Sequence, residues 1–185
     1  MTVAEIISVS RQLNGKDLPV DLVTSFAFKA DNSRGDFNLD IRTQIVEALL
    51  ADFSIADINL IRTLFDEELK SEMAIQRHDN LYQLCFYLFH LGQLADTFIL
   101  YDAKFNAKNM DVGFMLDREM ITVGHNIDEV IEYVEMRFRD SPTLKENYSG
   151  ILEELNGLKE FPDYENIDVY HLFIRGYFYG HHNVS

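Results

Sequence analysis

A single cysteine, three prolines, nine glycines and no tryptophan leave little in this chain of 185 residues to cross-link or to interrupt it. Cys85 has no second thiol to join, so an internal disulfide is excluded and a reducing compartment is the natural setting. Its neighbours Leu84, Phe86 and Leu88 mark it as a buried structural thiol rather than a nucleophile. So few glycines and prolines argue against a loop-rich all-β domain and in favour of helices. Basic residues are scarce as well, with 16 Lys and Arg against 31 Asp and Glu, a net charge of −15. Such a surface repels a phosphate backbone, which disfavours nucleic acid as a partner. The longest strongly apolar run, Leu84 to Phe89, is too short to cross a bilayer. The opening Met-Thr-Val-Ala-Glu-Ile-Ile has no basic start, so no secretory signal and no membrane association are expected, and the location expected is cytoplasmic.

Chemical signatures are missing too. The chain holds no zinc-protease His-Glu pair, no phosphate-binding Gly-Lys-Ser/Thr loop, no Gly-x-Ser-x-Gly elbow and no paired-cysteine spacing. Six histidines are scattered, and His78, His90 and His125 read as solvent-facing or capping groups near helix ends. Asp168 and His171 stand one helical turn apart, half of a carboxylate-bridged metal motif, but no Glu-x-x-His segment completes it. No catalytic residue, metal ligand or cofactor is therefore assigned. Neighbouring carboxylates such as Asp66/Glu67/Glu68 and Glu153/Glu154 are too common in so acidic a chain to mark a site.

What is present is helical periodicity. Val3, Ile6, Ile7 and Leu13 share one face, and Pro19 opens a second short helix with Leu22, Val23, Phe26 and Ala30. After the turn cluster at 31–35, Asp36 is placed to cap a helix carrying Ile41, Ile45, Ala48 and Leu49; the Arg34-Gly35-Asp36 tripeptide adds nothing beyond that. Ser54 and Asp57 have the spacing of a capping box for a helix with Ile58, Ile61, Phe65 and Leu69 on one side. The run Asp66, Glu67, Glu68 and Glu72 is expected to form its solvated face.

Residues 80–105 hold the most ordered pattern. Leu81, Leu84, Cys85, Leu88 and Leu91 follow helical spacing, and Tyr82, Phe86 and Phe89 cover the remaining circumference, which predicts a helix buried all round. Beyond Gly92, Leu94, Phe98, Tyr101 and Phe105 form a facing stripe. The segment Gly124-His125-Asn126-Ile127-Asp128-Glu129-Val130-Ile131-Glu132-Tyr133 repeats the Gly, Asp, Ile and Tyr of Gly92 to Tyr101 at an offset of 32 residues, and Gly157 follows at 33 as an expected third turn.

On the Leu91-Gly92 turn, this period and the small Cys85 midway through the first helix, residues 80–139 resemble tetratricopeptide repeats. Thr97 and Glu129 stand where the family has alanine, and the closing proline is represented only by Pro142. The stretch from Ala103-Lys104 through Asp111-Val112-Gly113 to Asp117 is also similar to a motif of uncharacterised bacterial helical proteins, which implies no activity. The fold expected is all-α: stacked antiparallel helix pairs in an α-solenoid with a right-handed superhelix, or a compact irregular helical bundle. The pairs would span roughly 2–30, 37–70, 79–106, 113–139 and 143–179 of one domain.

One polar break stands out between the two best hairpins. Lys104, Asn106, Lys108, Asn109, Asp111, Asp117 and Arg118 gather charged and amide groups where solenoids present binding loops; ordinary loop polarity is the plainer reading. Lys104, Asn106, Asn109, Asp111, Asp117 and Arg118 are the candidate partner-binding residues. The function expected is a non-enzymatic protein-interaction module, in its specific form a bacterial immunity-type protein binding a basic partner. The alternative is a small metal-dependent or acid/base enzyme in a helical bundle. Tyr170, Phe173, Ile174, Tyr177 and Phe178 give the last helix an aromatic face that caps the stack or, left exposed, forms a homodimer contact.

Overall fold

Helices follow one another along nearly the whole chain in the computed structural model, which describes residues 1–31, 35–75, 79–106, 110–160 and 167–180, with the side chains of 110 and 111 excepted. The all-α expectation holds: the chain is 75% helical and almost without strands. Helix α1 (Val3–Gln12) opens on a capping box, Thr2 accepting from the Glu5 amide while Glu5 accepts from the Thr2 amide. After α2 (Val20–Thr24) come β1 (Ala30–Asp31) and β2 (Gly35–Asp36), a two-residue antiparallel pair with Ala30 opposite Asp36. Then follow α3 (Leu39–Leu49) and α4 (Ile58–Ala74). Ser54 and Asp57 form the capping box the sequence predicts, around the 3-10 turn Ile55–Asp57 that leads into α4.

Helix α5 (Asn80–Leu91) lies at the centre, and every residue from Leu84 to Phe89 is fully buried. It packs along α4 and α3 on one side and under α11 (Ile167–Tyr179) on another. Burial on all sides is what its continuous apolar circumference requires. Gly92 ends it in the left-handed conformation, φ 62°, as a helix C-cap that a residue with a Cβ adopts only at a cost. The facing helix is short: a 3-10 turn Leu94–Asp96, α6 (Thr97–Tyr101) and a π-turn Asp102–Asn106 share its length.

Next come α7 (Met110–Met115), a 3-10 turn Arg118–Thr122, α8 (Ile127–Asp140), α9 (Pro142–Asn147) and α10 (Ile151–Lys159). Asn126 caps α8 by accepting from the Asp128 amide, and Ser141 caps α9 by accepting from the Leu144 amide. The buried apolar side chains from Ile6 to Ile174 join in one cluster. Among the described residues no helix is long and apolar enough to cross a membrane.

Three local expectations are corrected. Gly157 lies inside α10, not in a turn, because Ile151, Leu155 and Leu158 bury one face and carry the helix through it. That packing outweighs the roughly 1 kcal/mol a helical glycine costs. Asp36 does not cap α3, whose N-cap is Asn38. Finally, Glu67, Glu68 and Glu72 are buried, at 8%, 0% and 1% exposure, rather than forming a solvated face. Arg42 accounts for Asp36 and Glu68, while Glu67 accepts from the Phe28 amide at 2.7 Å and from Lys70 at 2.6 Å. The fully buried Arg42 guanidinium donates to Glu68 Oε1 at 2.9 Å, to the Phe26 carbonyl at 3.0 Å and to the Asp36 carboxylate. Ser71 and Asn80 complete the cluster, donating to Asp36 at 2.7 Å and to Glu68 at 2.9 Å.

Candidate functional site

The polar break after Phe105 closes on a knot of side chains centred on Asp117. Asp117 sits just ahead of the 3-10 turn Arg118–Thr122, so its carboxylate faces both the central helix and the last one. Tyr82 of α5 donates to its Oδ2 at 2.7 Å and Tyr170 of α11 donates to the same oxygen at 2.8 Å. Burial and the nearby carboxylate push both phenols well above their ordinary range, so each stays a donor at neutral pH. One carboxylate thereby ties together three elements distant in sequence.

Lys104, on the π-turn, is half-buried and donates to the Gly113 carbonyl at 2.8 Å. Burial lowers its pKa, partly offset by Asp117, while Arg118 adds to the lowering. Gly113 is required here: a Cβ would stand 2.4 Å from the Lys104 carbonyl oxygen. Arg118 donates to Glu154 Oε2 of α10 at 3.0 Å, and its Nε is buried with no hydrogen-bond partner among the described residues. Lys104, Asp117 and Arg118 are thus neighbours, as their place in the sequence suggests. Asn106 turns back instead, donating to Asp102 at 2.7 Å. Asp102 also accepts from Tyr148 at 2.7 Å, which, after burial, helps to raise that phenol to about 12. Asn109 and the side chain of Asp111 lie outside the described residues, as do Lys108 and His78.

A second constellation has no single signal in the sequence beyond its histidines. The turns at Gly92 and Gly124 abut: His125 Nε2 lies 2.7 Å from the Gly92 carbonyl, and His171 Nε2 lies 3.3 Å from the Gly124 carbonyl. The His171 ring packs on Phe89 with centroids 4.4 Å apart and meets His90 edge-on at 5.2 Å. His90 is therefore not solvent-facing. Burial lowers its pKa to about 4, with smaller contributions from His171 and Arg175, so the ring is neutral at pH 7. Phe86 and Phe178 stack nearby at 4.5 Å, and Tyr179 donates to the Leu50 carbonyl at 3.0 Å, so α11 is fastened to α5 by rings and to the end of α3 by one hydrogen bond.

Neither constellation assembles a nucleophile, its base and an open position for substrate. Among the described residues no group of three His, Cys, Asp or Glu is placed to hold a metal ion. Cys85 is fully buried, and desolvation raises its thiol well above the ordinary value, which suits an inert core residue.

Two surface grooves among the described residues differ in character. One, of about 670 Å³, runs between α1 and α3 and is lined by Val3, Ile7 and Ala48 with Arg11 and Asp52 at its edge. The other, of about 560 Å³, runs along α8. The last helix also leaves apolar side chains in solvent, with Val169, Leu172, Phe173 and Tyr177 between 54% and 62% exposed. Comparison with protein-family models, with curated proteins and with solved structures finds no match for this chain.

Proposed function

We propose that this chain is a non-enzymatic protein-interaction module whose partner is a basic protein, the arrangement a small bacterial immunity-type protein uses to block a toxin. The observation that carries this reading is the scarcity of cations. Arg11 is bound to Asp52 and Asp57, Arg42 to Asp36 and Glu68, Arg62 to Asp96, Lys70 to Glu67, Arg118 to Glu154 and Lys159 to Asp128. With 16 basic against 31 acidic side chains, a net charge of −15 remains however the cations are paired, a field that steers a cationic protein and repels nucleic acid. Stacking of helix pairs into a superhelix belongs to the same proposal and is supported by the contact between the Gly92 and Gly124 turns. So does a role for Lys104, Asn106, Asn109, Asp111, Asp117 and Arg118 at the rim of the bound partner.

The test uses the intact chain as bait in cells of its source, followed by stopped-flow association with the captured partner. An association rate that falls tenfold or more between low and physiological salt is expected. A rate indifferent to salt sinks the electrostatic reading. A second reading, a homodimer through α11, is favoured by the exposed Val169, Leu172, Phe173 and Tyr177. Sedimentation of the Leu172→Asp/Phe173→Asp variant decides it: a dimer that persists removes α11 as the contact.

A further inference from the structure

We infer that the groove along α8 is the docking site for a basic amphipathic segment of the partner; this rests on the interaction reading above and assigns it a place. Leu94 and Tyr133, both packed on the core, and Met136, 42% exposed, supply its apolar part. Glu129, Glu132 and Glu135 line the same groove and are exposed. Their spacing along α8 spreads the carboxylates over two helical turns, roughly 9 Å at 1.5 Å per residue.

Four observations select this surface and its occupant. First, Glu132 and Glu135 make no ion pair with any described residue, whereas the carboxylate of the other groove, Asp52, is already bound by Arg11 at 2.9 Å. The α8 groove therefore keeps an excess of negative charge over its one arginine, Arg139, and the α1–α3 groove has its carboxylate neutralised. Second, the end of the groove is held by chain atoms: His125 bridges the Gly92 carbonyl at 2.7 Å and Glu129 at 3.1 Å, fixing the turn against α8. Third, Arg137 is occupied, donating to the Tyr133 hydroxyl at 2.9 Å and lying 5.8 Å from its ring centroid. Arg139 is the cation that lines the groove, and Glu129, Glu132 and Glu135 outnumber it. Fourth, Met136 is unbranched and polarizable, and its exposure beside carboxylates is the pattern of a groove that takes apolar side chains from a cationic helix. A second copy of a chain with net charge −15 is the wrong occupant, since glutamates would face glutamates. The segment that fits has one apolar face for Leu94 and Met136, with Lys or Arg beside it reaching Glu132 and Glu135.

The experiment titrates the full-length ¹⁵N-labelled chain with a synthetic fourteen-residue peptide of Leu and Lys, spaced so that a helix has one apolar and one basic face. A scrambled peptide of the same composition serves as the control for charge alone. Saturable shifts centred on Leu94, Glu132 and Met136 are expected, with affinity at least tenfold weaker for the scrambled peptide. Affinity should also fall at least tenfold in the Glu132→Lys/Glu135→Lys chain. Both positions are exposed, so the variant is expected to fold, and circular dichroism is the check. Shifts centred elsewhere, equal affinity for the scrambled peptide, an unchanged affinity in the variant or no saturable binding each overturn the groove. The interaction reading stands or falls separately. If the variant still binds the captured partner with a salt-steepened rate, the groove is lost and the module remains. If the wild-type chain captures no basic partner, the module reading itself falls.

Discussion

Helices α4 and α8 carry similar complements of acidic side chains and use them in opposite ways. In α4 the carboxylates of Glu67, Glu68 and Glu72 turn inward, Glu68 onto the guanidinium of Arg42 and the amide of Asn80. In α8, Asp128, Glu129, Glu132 and Glu135 all face solvent. The difference does not lie in the helices but in what stands opposite them. Arg42, 26 positions before Glu68, holds that carboxylate in the core, whereas the partners of the α8 carboxylates, Lys159 for Asp128 and His125 for Glu129, meet them at the surface. Local charge pattern states that a helix is acidic; a distant residue decides whether that acid is structure or surface.

Removing Arg42 should have the largest effect on the fold. Arg42→Met leaves Asp36 and Glu68 buried without their cation, which should destabilise the fold by about 3–5 kcal/mol, read from urea unfolding. A loss below about 1 kcal/mol would mean the cluster is not what holds α3 to α4. The same cluster has a pH signature. Burial opposes ionisation of Asp36, but hydrogen bonds from Arg42, Ser71 and the Asn38 and Lys29 amides outweigh it and hold its pKa below the usual value. Its folded pKa is the depressed one, so its contribution is present above the unfolded value and disappears as pH falls through the folded one.

His90 is the next inward-turned group in expected effect. With a folded pKa of about 4 against an ordinary 6.5, the unfolded chain takes up the proton first as pH falls. Stability is therefore intact above about pH 6.5 and declines toward pH 4, by up to on the order of 3 kcal/mol. Thermal melts of the parent and of His90→Phe across pH 4–7 test this. The variant should lose most of the slope in that window, and an unchanged slope would assign it to the carboxylates instead.

Asp117 stands between the two extremes, half-buried and satisfied by two phenols. Tyr170→Phe removes one donor and the tie between α11 and the polar knot, at about 1–2 kcal/mol. Hydrogen exchange should then quicken in α11 while the amides of α5 keep their protection. Equal loosening of both helices would show that α11 is not a separate layer.

How much of this was legible in the sequence follows the same division. The helices were, because burial of one face imposes a period that composition cannot hide, and α5 announced its burial by being apolar all round. The capping box of Ser54 and Asp57 was legible because it is local. The inward Glu68 of α4 was not, nor was the part played by Asp36, since both depend on Arg42, and Asp36 belongs to a pair of two-residue strands too short to carry an alternating pattern. Of the candidate site, the nearness of Lys104, Asp117 and Arg118 followed from their short separation. The phenols that hold Asp117, 35 and 53 positions away, carry no mark that distinguishes them from other core aromatics. The histidine contacts at the Gly92 and Gly124 turns were hidden for the same reason.

The outward helix supplies the smallest effect and the clearest contrast. Glu132→Gln and Glu135→Gln remove exposed charges that form no ion pair among the described residues, so each should change folding stability by no more than about 0.5 kcal/mol. Relief of repulsion within so acidic a chain can even make the change slightly favourable, an effect that salt should erase. The pair of urea curves, Arg42→Met beside Glu132→Gln/Glu135→Gln, therefore puts the two acidic helices on one scale. If neutralising α8 cost as much as unpairing α4, its carboxylates would be holding the fold together. They would then not be available to a partner, and the distinction between structural and surface acid in this protein would collapse.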